Sequence, residues 1–175
     1  AAGHRFRSHS DTEVIAHAWR RWGPGALRRF NGQWAFALWD ARRGRLVLAR
    51  DTVGVRPLYY AVRDGRLTFA STVAALLADP AAERAFDPAG LAEVLTFWAA
   101  VAPRTPYAGI HQLPPGHWAM VDAATPLSAG PIDSAPYAPL VYPEAGTESR
   151  QSLADNAAEL RAHLERAVRL RFFRS

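Results

Sequence analysis

The stretch that most constrains the fold is residues 31–71, NGQWAFALWDARRGRLVLARDTVGVRPLYYAVRDGRLTFAS. It holds four strand-like runs. Residues 33–39 carry Trp34, Phe36, Leu38 and Trp39, residues 45–49 carry Leu46, Val47 and Leu48, residues 58–62 carry Tyr59 and Tyr60, and residues 66–69 follow Asp64-Gly65. β-branched and aromatic side chains suit a pleated, half-buried surface. Arg42-Arg43-Gly44 and Asp64-Gly65 read as hairpin turns, because glycine accepts the positive φ that a tight turn needs. The pattern predicts an antiparallel meander, and its near-continuous apolar runs predict cover on both faces. Residues 50–57, Arg-Asp-Thr-Val-Gly-Val-Arg-Pro, are too charged for a plain hairpin turn between the second and third strands.

At 175 residues the chain is expected to be one domain with an extension. A hydrophobic fraction of 49% is enough for a core. No apolar run is long enough to span a membrane, and none reads as a signal peptide. There is no cysteine, so the sequence offers no disulfide, no Cys-based zinc site and no thiol nucleophile. All 21 basic residues are arginine and the net charge is +5, but the arginines fall in scattered pairs such as Arg20 and Arg21. Without a motif they read as solvated faces rather than as a nucleic-acid surface.

Upstream of the meander, Ser10-Asp11-Thr12-Glu13 has the capping-box pattern, in which Ser10 serves the Glu13 amide and the Glu13 carboxylate reaches back to the cap. The helix that follows places Val14, Ile15, Ala18, Trp19 and Trp22 on one face. Gly23-Pro24-Gly25 ends it, and a short second helix covers 26–30. Downstream, residues 72–77 are helical and Asp79-Pro80 stops them. Asp87-Pro88 starts another helix, with Asp at the N-cap and Pro in the first turn, and with Leu91, Val94, Leu95 and Trp98 as its expected buried face. Residues 103–115 read as a Pro-rich loop and 116–121 as a short strand. Residues 123–147, rich in Pro, Ala, Ser and Gly, read as a linker. From Ser149 onward, Leu153, Leu160, Leu164 and Val168 mark an amphipathic helix.

The runs SDTEVIAHAWRRWG, RFNGQWAFALWD, LARDTVGVRPLYY, LTFAS, FDPAGLAEVLTF and QLPPGHW, in this order, resemble the glutaminase domain of asparagine synthetase. That domain is a class II glutamine amidotransferase of the N-terminal-nucleophile kind, and the resemblance covers residues 3–122. It implies an α+β fold, the four-layer αββα sandwich. Here the sandwich is expected to be incomplete, with its first strands upstream of this sequence. A linker over 123–148 and a helix over 149–175 would lead into a synthetase domain outside the chain. The family's glutaminase uses an N-terminal Cys as nucleophile and its free α-amino group as base. The second domain activates aspartate with ATP and Mg, and ammonia travels between the two sites. Glutamine is the implied ligand, the synthetase domain the implied partner and the cytoplasm the implied location. The resemblance allows a homodimer and calls for neither nucleic acid nor a membrane.

By the same resemblance, Asp11 matches the aspartate that holds the α-ammonium of glutamine, a role suited to a charge-assisted hydrogen bond. A plainer role, at the positive end of the helix dipole, competes with it. Arg50 and Asp51 match the family's Arg-Asp pair and read as charges that fix the loop, while Gly54 and Pro57 shape it. No residue of this chain is assigned a catalytic role. The six His residues lack metal spacing, and His111 and His117 read as structural. Asn31-Gly32 precedes the wrong strand to be the family's oxyanion pair. Gln33 stands where the family has Met beside the ammonia path. Thr72 and Ala74 replace a Glu and a Lys, and the synthetase loop Ser-Gly-Gly-Leu-Asp-Ser is absent.

Acyl transfer needs an activated nucleophile and oxyanion donors together, so the chain alone is expected to be inactive. The leading expectation is therefore a glutaminase-domain portion of an asparagine-synthetase-like enzyme. The alternative is a Cys-less scaffold domain of a β-lactam-synthetase-like or lasso-peptide-cyclase-like enzyme. A stand-alone binding module is a third.

Overall fold

The turn residues make two hairpins. β1 (Ala35–Asp40) pairs antiparallel with β2 (Arg45–Arg50), with Phe36 opposite Ala49 and Leu38 opposite Val47. β3 (Tyr59–Arg63) pairs antiparallel with β4 (Arg66–Ala70), with Tyr60 opposite Phe69. The hairpins do not continue into one meander. β2 pairs on its other edge with β6 (His117–Asp122), which pairs with β7 (Ala135–Pro136), giving the order β1-β2-β6-β7. β3 pairs on its other edge with β5 (Ile110–Gln112), giving β4-β3-β5. The computed structural model describes residues 5–139 and 141–172.

The physical reason for two sheets is the core between them. Leu48 of the first sheet meets Tyr60 of the second, together with Leu58, Leu113 and Ala119, in one buried cluster. A single flat meander would leave these side chains in water, at roughly 25 cal/mol per Å² of apolar surface. Cover on both faces holds for β2, where Val47, Leu48, Ala49 and Arg50 are all buried. It fails at the edge strands, where Trp39 of β1 and Phe69 of β4 are exposed. Residues 103–115 are not all loop, since β5 adds an edge to β3.

Helical segments lie against both sheets. α1 (Asp11–Trp22) runs into a 3-10 helix, Gly23–Arg29. Trp19 and Leu27 pack with Ala49, Tyr137 and Trp118 on the first sheet, and Trp19 meets Trp118 edge to face at 5.8 Å. α2 (Val73–Leu77) contacts β3 and β4 through the buried Leu76. Thr72 is its N-cap and accepts from the Ala75 amide at 3.2 Å, so the residue that departs from the family pattern has a local structural task.

α3 (Pro88–Phe97) is capped by Asp87 as expected, but its apolar face is turned. Its one buried residue is Gly90, which lies so close to the backbone that a Cβ there would stand 2.1 Å from the Thr105 carbonyl oxygen. Leu91 and Val94 share that side and are half-buried. Leu95 and Trp98, expected inside, are 84% and 93% exposed.

Part of the stretch read as a linker over 123–148 is folded into the first unit. Two compact units divide at Ala1–Pro139 and Leu140–Ser175. Before that division β7 pairs with β6, Tyr137 is buried, and Ile132 packs on the inter-sheet core. In the second unit α4 (Leu153–Phe172) buries none of its residues. Among the described residues, no helix is long and apolar enough to cross a membrane.

Candidate functional site

The site is built where the chain crosses twice between the sheets, at residues 50–58 and 112–117. Arg50, the last residue of β2, is 5% exposed and donates to three carbonyls. Nε reaches Arg56 at 2.9 Å, Nη1 reaches Leu113 at 2.8 Å and Nη2 reaches Gly54 at 2.7 Å. Burial lowers its pKa, and the neighbouring Asp51 charge opposes that shift. A guanidinium suits this position because its rigid fork presents five donors.

Asp51, 1% exposed, does the complementary work on amides. Oδ1 accepts from Val55 at 2.9 Å, and Oδ2 accepts from Arg56 at 2.9 Å and from Trp34 at 3.3 Å. Its backbone carbonyl accepts from Gly54 at 3.0 Å and from Gly116 at 2.9 Å. Pro57 carries no N–H and ends the row of donors. The next residue, Leu58, accepts from the Leu113 amide at 2.9 Å. Arg50 thus pairs the Gly54 and Arg56 carbonyls and Asp51 the Val55 and Arg56 amides, giving these backbone groups partners where an irregular segment passes between the sheets. Thr52, Val53, Val55 and Arg56 are left exposed at its tip.

Sequence reasoning missed the brace beneath this loop. The Tyr137 hydroxyl donates to the Arg50 carbonyl at 2.9 Å. Its ring stacks on Trp34 at 5.8 Å, and its carbonyl accepts from Arg28 Nε at 2.7 Å. Burial raises the phenol's pKa, which keeps it a donor. The only sequence signal was a tyrosine in a Pro/Ala/Ser-rich stretch that also holds Tyr142.

Asp11 lies apart from this network, at the first residue of α1. Ser10 caps the helix: its hydroxyl accepts from the Thr12 amide at 3.2 Å, while the Glu13 amide donates to the Ser10 backbone carbonyl at 3.2 Å. Glu13 reaches further back than a capping box requires. It accepts from the Arg7 amide at 2.9 Å, the Ser8 amide at 2.8 Å and the Ser8 hydroxyl at 2.6 Å. The Ser8 hydroxyl first, then the Arg7 amide, hold its pKa down to about 2. With the cap and the upstream turn served by others, the Asp11 carboxylate is exposed and joins none of these bonds.

The two histidines differ. His117 Nδ1 lies 2.8 Å from the Pro115 carbonyl, a local turn contact. The His111 ring lies 5.6 Å from Tyr60, and its Nε2 is buried without a hydrogen-bond partner among the described residues. Burial lowers its pKa and favours the neutral ring. It borders a cavity of about 640 Å³ that Phe86, Tyr107 and Arg104 also line. Arg104 is paired there with Asp87 at 3.4 Å and Glu93 at 2.5 Å. Asn31 is exposed and Gln33 half-buried beside the first hairpin. Among the described residues no group of three His, Asp or Glu is placed to hold a metal ion, and no pyrophosphate loop is present in the sequence.

Two antiparallel sheets with helices against them, joined through a buried Arg-Asp loop, define a mixed α/β domain. Residues 1–129 match the family described as glutamine amidotransferase domain; the chain belongs to that family and is of the asparagine-synthetase type. It is 36% identical over 118 residues to asparagine synthetase [glutamine-hydrolyzing] 3 of Bacillus subtilis, covering 67% of this chain and 19% of that relative. It is 29% identical over 176 residues to amidase chyE of Penicillium rubens, covering 98% of this chain and 24% of the relative. Among solved structures it matches the glutamine phosphoribosylpyrophosphate amidotransferase from B. subtilis with a TM-score of 0.45 and 20% identity, over 69% of this chain and 22% of that one. The chain spans about a fifth to a quarter of the length of these proteins.

Proposed function

We propose that this chain is part of the glutaminase domain of an asparagine-synthetase-like enzyme, in which ammonia from glutamine amidates an acceptor carboxylate activated by ATP. The family match over residues 1–129 carries this reading. Two stacked sheets, with α1 and the 3-10 helix against one and α2 against the other, support an αββα sandwich of the N-terminal-nucleophile kind. Asp11 is the proposed partner of the glutamine α-ammonium. Its availability fits, because Ser10 and Glu13 already serve the helix end. Arg50, Asp51, Gly54 and Pro57 are proposed to shape the loop between the sheets and not to touch glutamine. The chain contains no cysteine, so the nucleophile of this proposal lies outside the given sequence, and so do ATP, Mg and the synthetase domain. The proposed location is the cytoplasm.

One observation favours a second reading. The match to the Penicillium amidase extends over 98% of this chain, further than the match to the Bacillus synthetase. An acceptor other than aspartate, or a glutaminase-like domain kept as a Cys-less scaffold, would fit that pattern. The test is an assay of the full-length gene product with ATP and aspartate, run once with glutamine and once with ammonium. Amide formation from both nitrogen sources supports the first reading. Activity with ammonium alone contradicts a working glutaminase and leaves the scaffold reading standing, whereas activity with neither source contradicts aspartate as the acceptor.

A further inference from the structure

Residues 132–139 form a strap that begins just past the family match, which ends at residue 129. Its bonds close a ring around the site loop. The Tyr137 amide donates to the Gly116 carbonyl at 2.9 Å, the Gly116 amide donates to the Asp51 carbonyl at 2.9 Å, and the Tyr137 hydroxyl donates to the Arg50 carbonyl at 2.9 Å. Gly116 is the crowded point of the ring. It has a φ of +67°, and a Cβ there would stand 3.0 Å from the Ala138 carbonyl oxygen and 3.4 Å from that of Thr52. Strap, Gly116 turn and site loop therefore meet within van der Waals reach, and any side chain at 116 would push them apart.

From this closed ring we propose that Tyr137 is a positioning residue for the loop of residues 50–57. The phenol sets where β2 ends and so where the Arg50 and Asp51 side chains begin. Trp34, on which its ring stacks, exchanges two bonds with Asp51: its amide donates to Oδ2 and its carbonyl accepts from the Asp51 amide at 2.9 Å. The Arg28 guanidinium, from the 3-10 helix, fixes the strap from outside. The same strap ends at Pro139, where the first unit ends. The bearing on glutamine use rests on the amidotransferase reading above, whereas the positioning of the loop does not.

The test is amide hydrogen exchange of the 175-residue chain carrying Tyr137→Phe, which keeps the stacked ring and removes the hydroxyl alone. The amides of Gly54, Val55 and Arg56, all bonded to Asp51, should exchange roughly twofold to tenfold faster, the ratio that corresponds to one hydrogen bond's net contribution. The β3–β4 pair amides should not change, because local openings are separable from global ones. Arg28→Met, which loosens the strap at an exposed position, should accelerate the same three amides. Unchanged exchange at 54–56 in both variants overturns the proposal. Uniform acceleration throughout the first unit overturns it too, since that would mark Tyr137 as core packing only. In the full-length protein, Tyr137→Phe should raise the glutamine KM and leave ammonium-dependent turnover alone. An unaltered KM beside accelerated exchange at 54–56 would count against the glutamine reading and leave the positioning role intact.

Discussion

Arg50 and Gly54 are packed so tightly that a Cβ on Gly54 would stand 2.9 Å from Cζ and 2.9 Å from Nη2 of the guanidinium. The same Nη2 donates to the Gly54 carbonyl at 2.7 Å. Gly54 also has a φ of +69°, so position and conformation both select glycine. Gly54→Ala should lower stability by about 1–3 kcal/mol, the range for a non-glycine residue held in a left-handed conformation. Denaturant unfolding followed by tryptophan fluorescence measures it. An unchanged midpoint would mean that the guanidinium moves aside without loss and that the loop is looser than its bonds indicate.

The anchor at the start of α1 should be sensitive to acid. Glu13 titrates near 2 in the folded chain against 4.5 for a free carboxylate. A depressed folded pKa contributes stability that is fully present above the unfolded value, so the contribution persists above about pH 5 and is lost as pH falls toward 2. Glu13→Gln should therefore be less stable than the parent at pH 6, with the gap closing between about pH 4.5 and 2. Thermal melts of both proteins across that range check it. A gap that does not change with pH would assign the difference to something other than the Glu13 charge.

α4 should contribute little to the stability of the remainder. Leu153, Leu160, Leu164 and Val168 form its apolar stripe and all are exposed. Removing residues 149–175 should shift the unfolding free energy by no more than about 0.5 kcal/mol, as for surface changes. A loss of several kcal/mol, the scale of deleted core contacts, would show that the stripe is buried in solution.

Local features were legible in the sequence because local chemistry sets them. Gly44 and Gly65 mark the hairpins, Asp87-Pro88 marks the start of α3, and Arg50-Asp51 with Gly54 and Pro57 marks the loop. What the sequence could not show is set by contacts between distant residues. Two hairpins in series look the same whether they share one sheet or stack as two, and only the meeting of Leu48 with Tyr60 and Leu113 separates the cases. The buried side of α3 follows Gly90, which leaves no apolar signature, rather than Leu95 or Trp98. Glu13 was legible as part of a capping pattern, but its partners at Arg7 and Ser8 come from a turn with no signal of its own. Tyr137 was hidden for the same reason: nothing in its neighbourhood points to a partner 87 residues earlier.

The most direct test of the account is Asp11→Ala in the full-length protein, assayed with glutamine and, separately, with ammonium. Asp11 is exposed in the chain, so bound glutamine must desolvate the pair. Removing one partner of such a pair costs about 2–5 kcal/mol, and glutamine-dependent kcat/KM should fall roughly 30-fold or more. Ammonium-dependent turnover should be unaffected. The melting free energy should change by no more than about 1 kcal/mol, the size of a lost interaction with the helix dipole. Glutamine use that survives the substitution, or the loss of both activities together with the fold, would contradict the assignment of Asp11 to the glutamine ammonium.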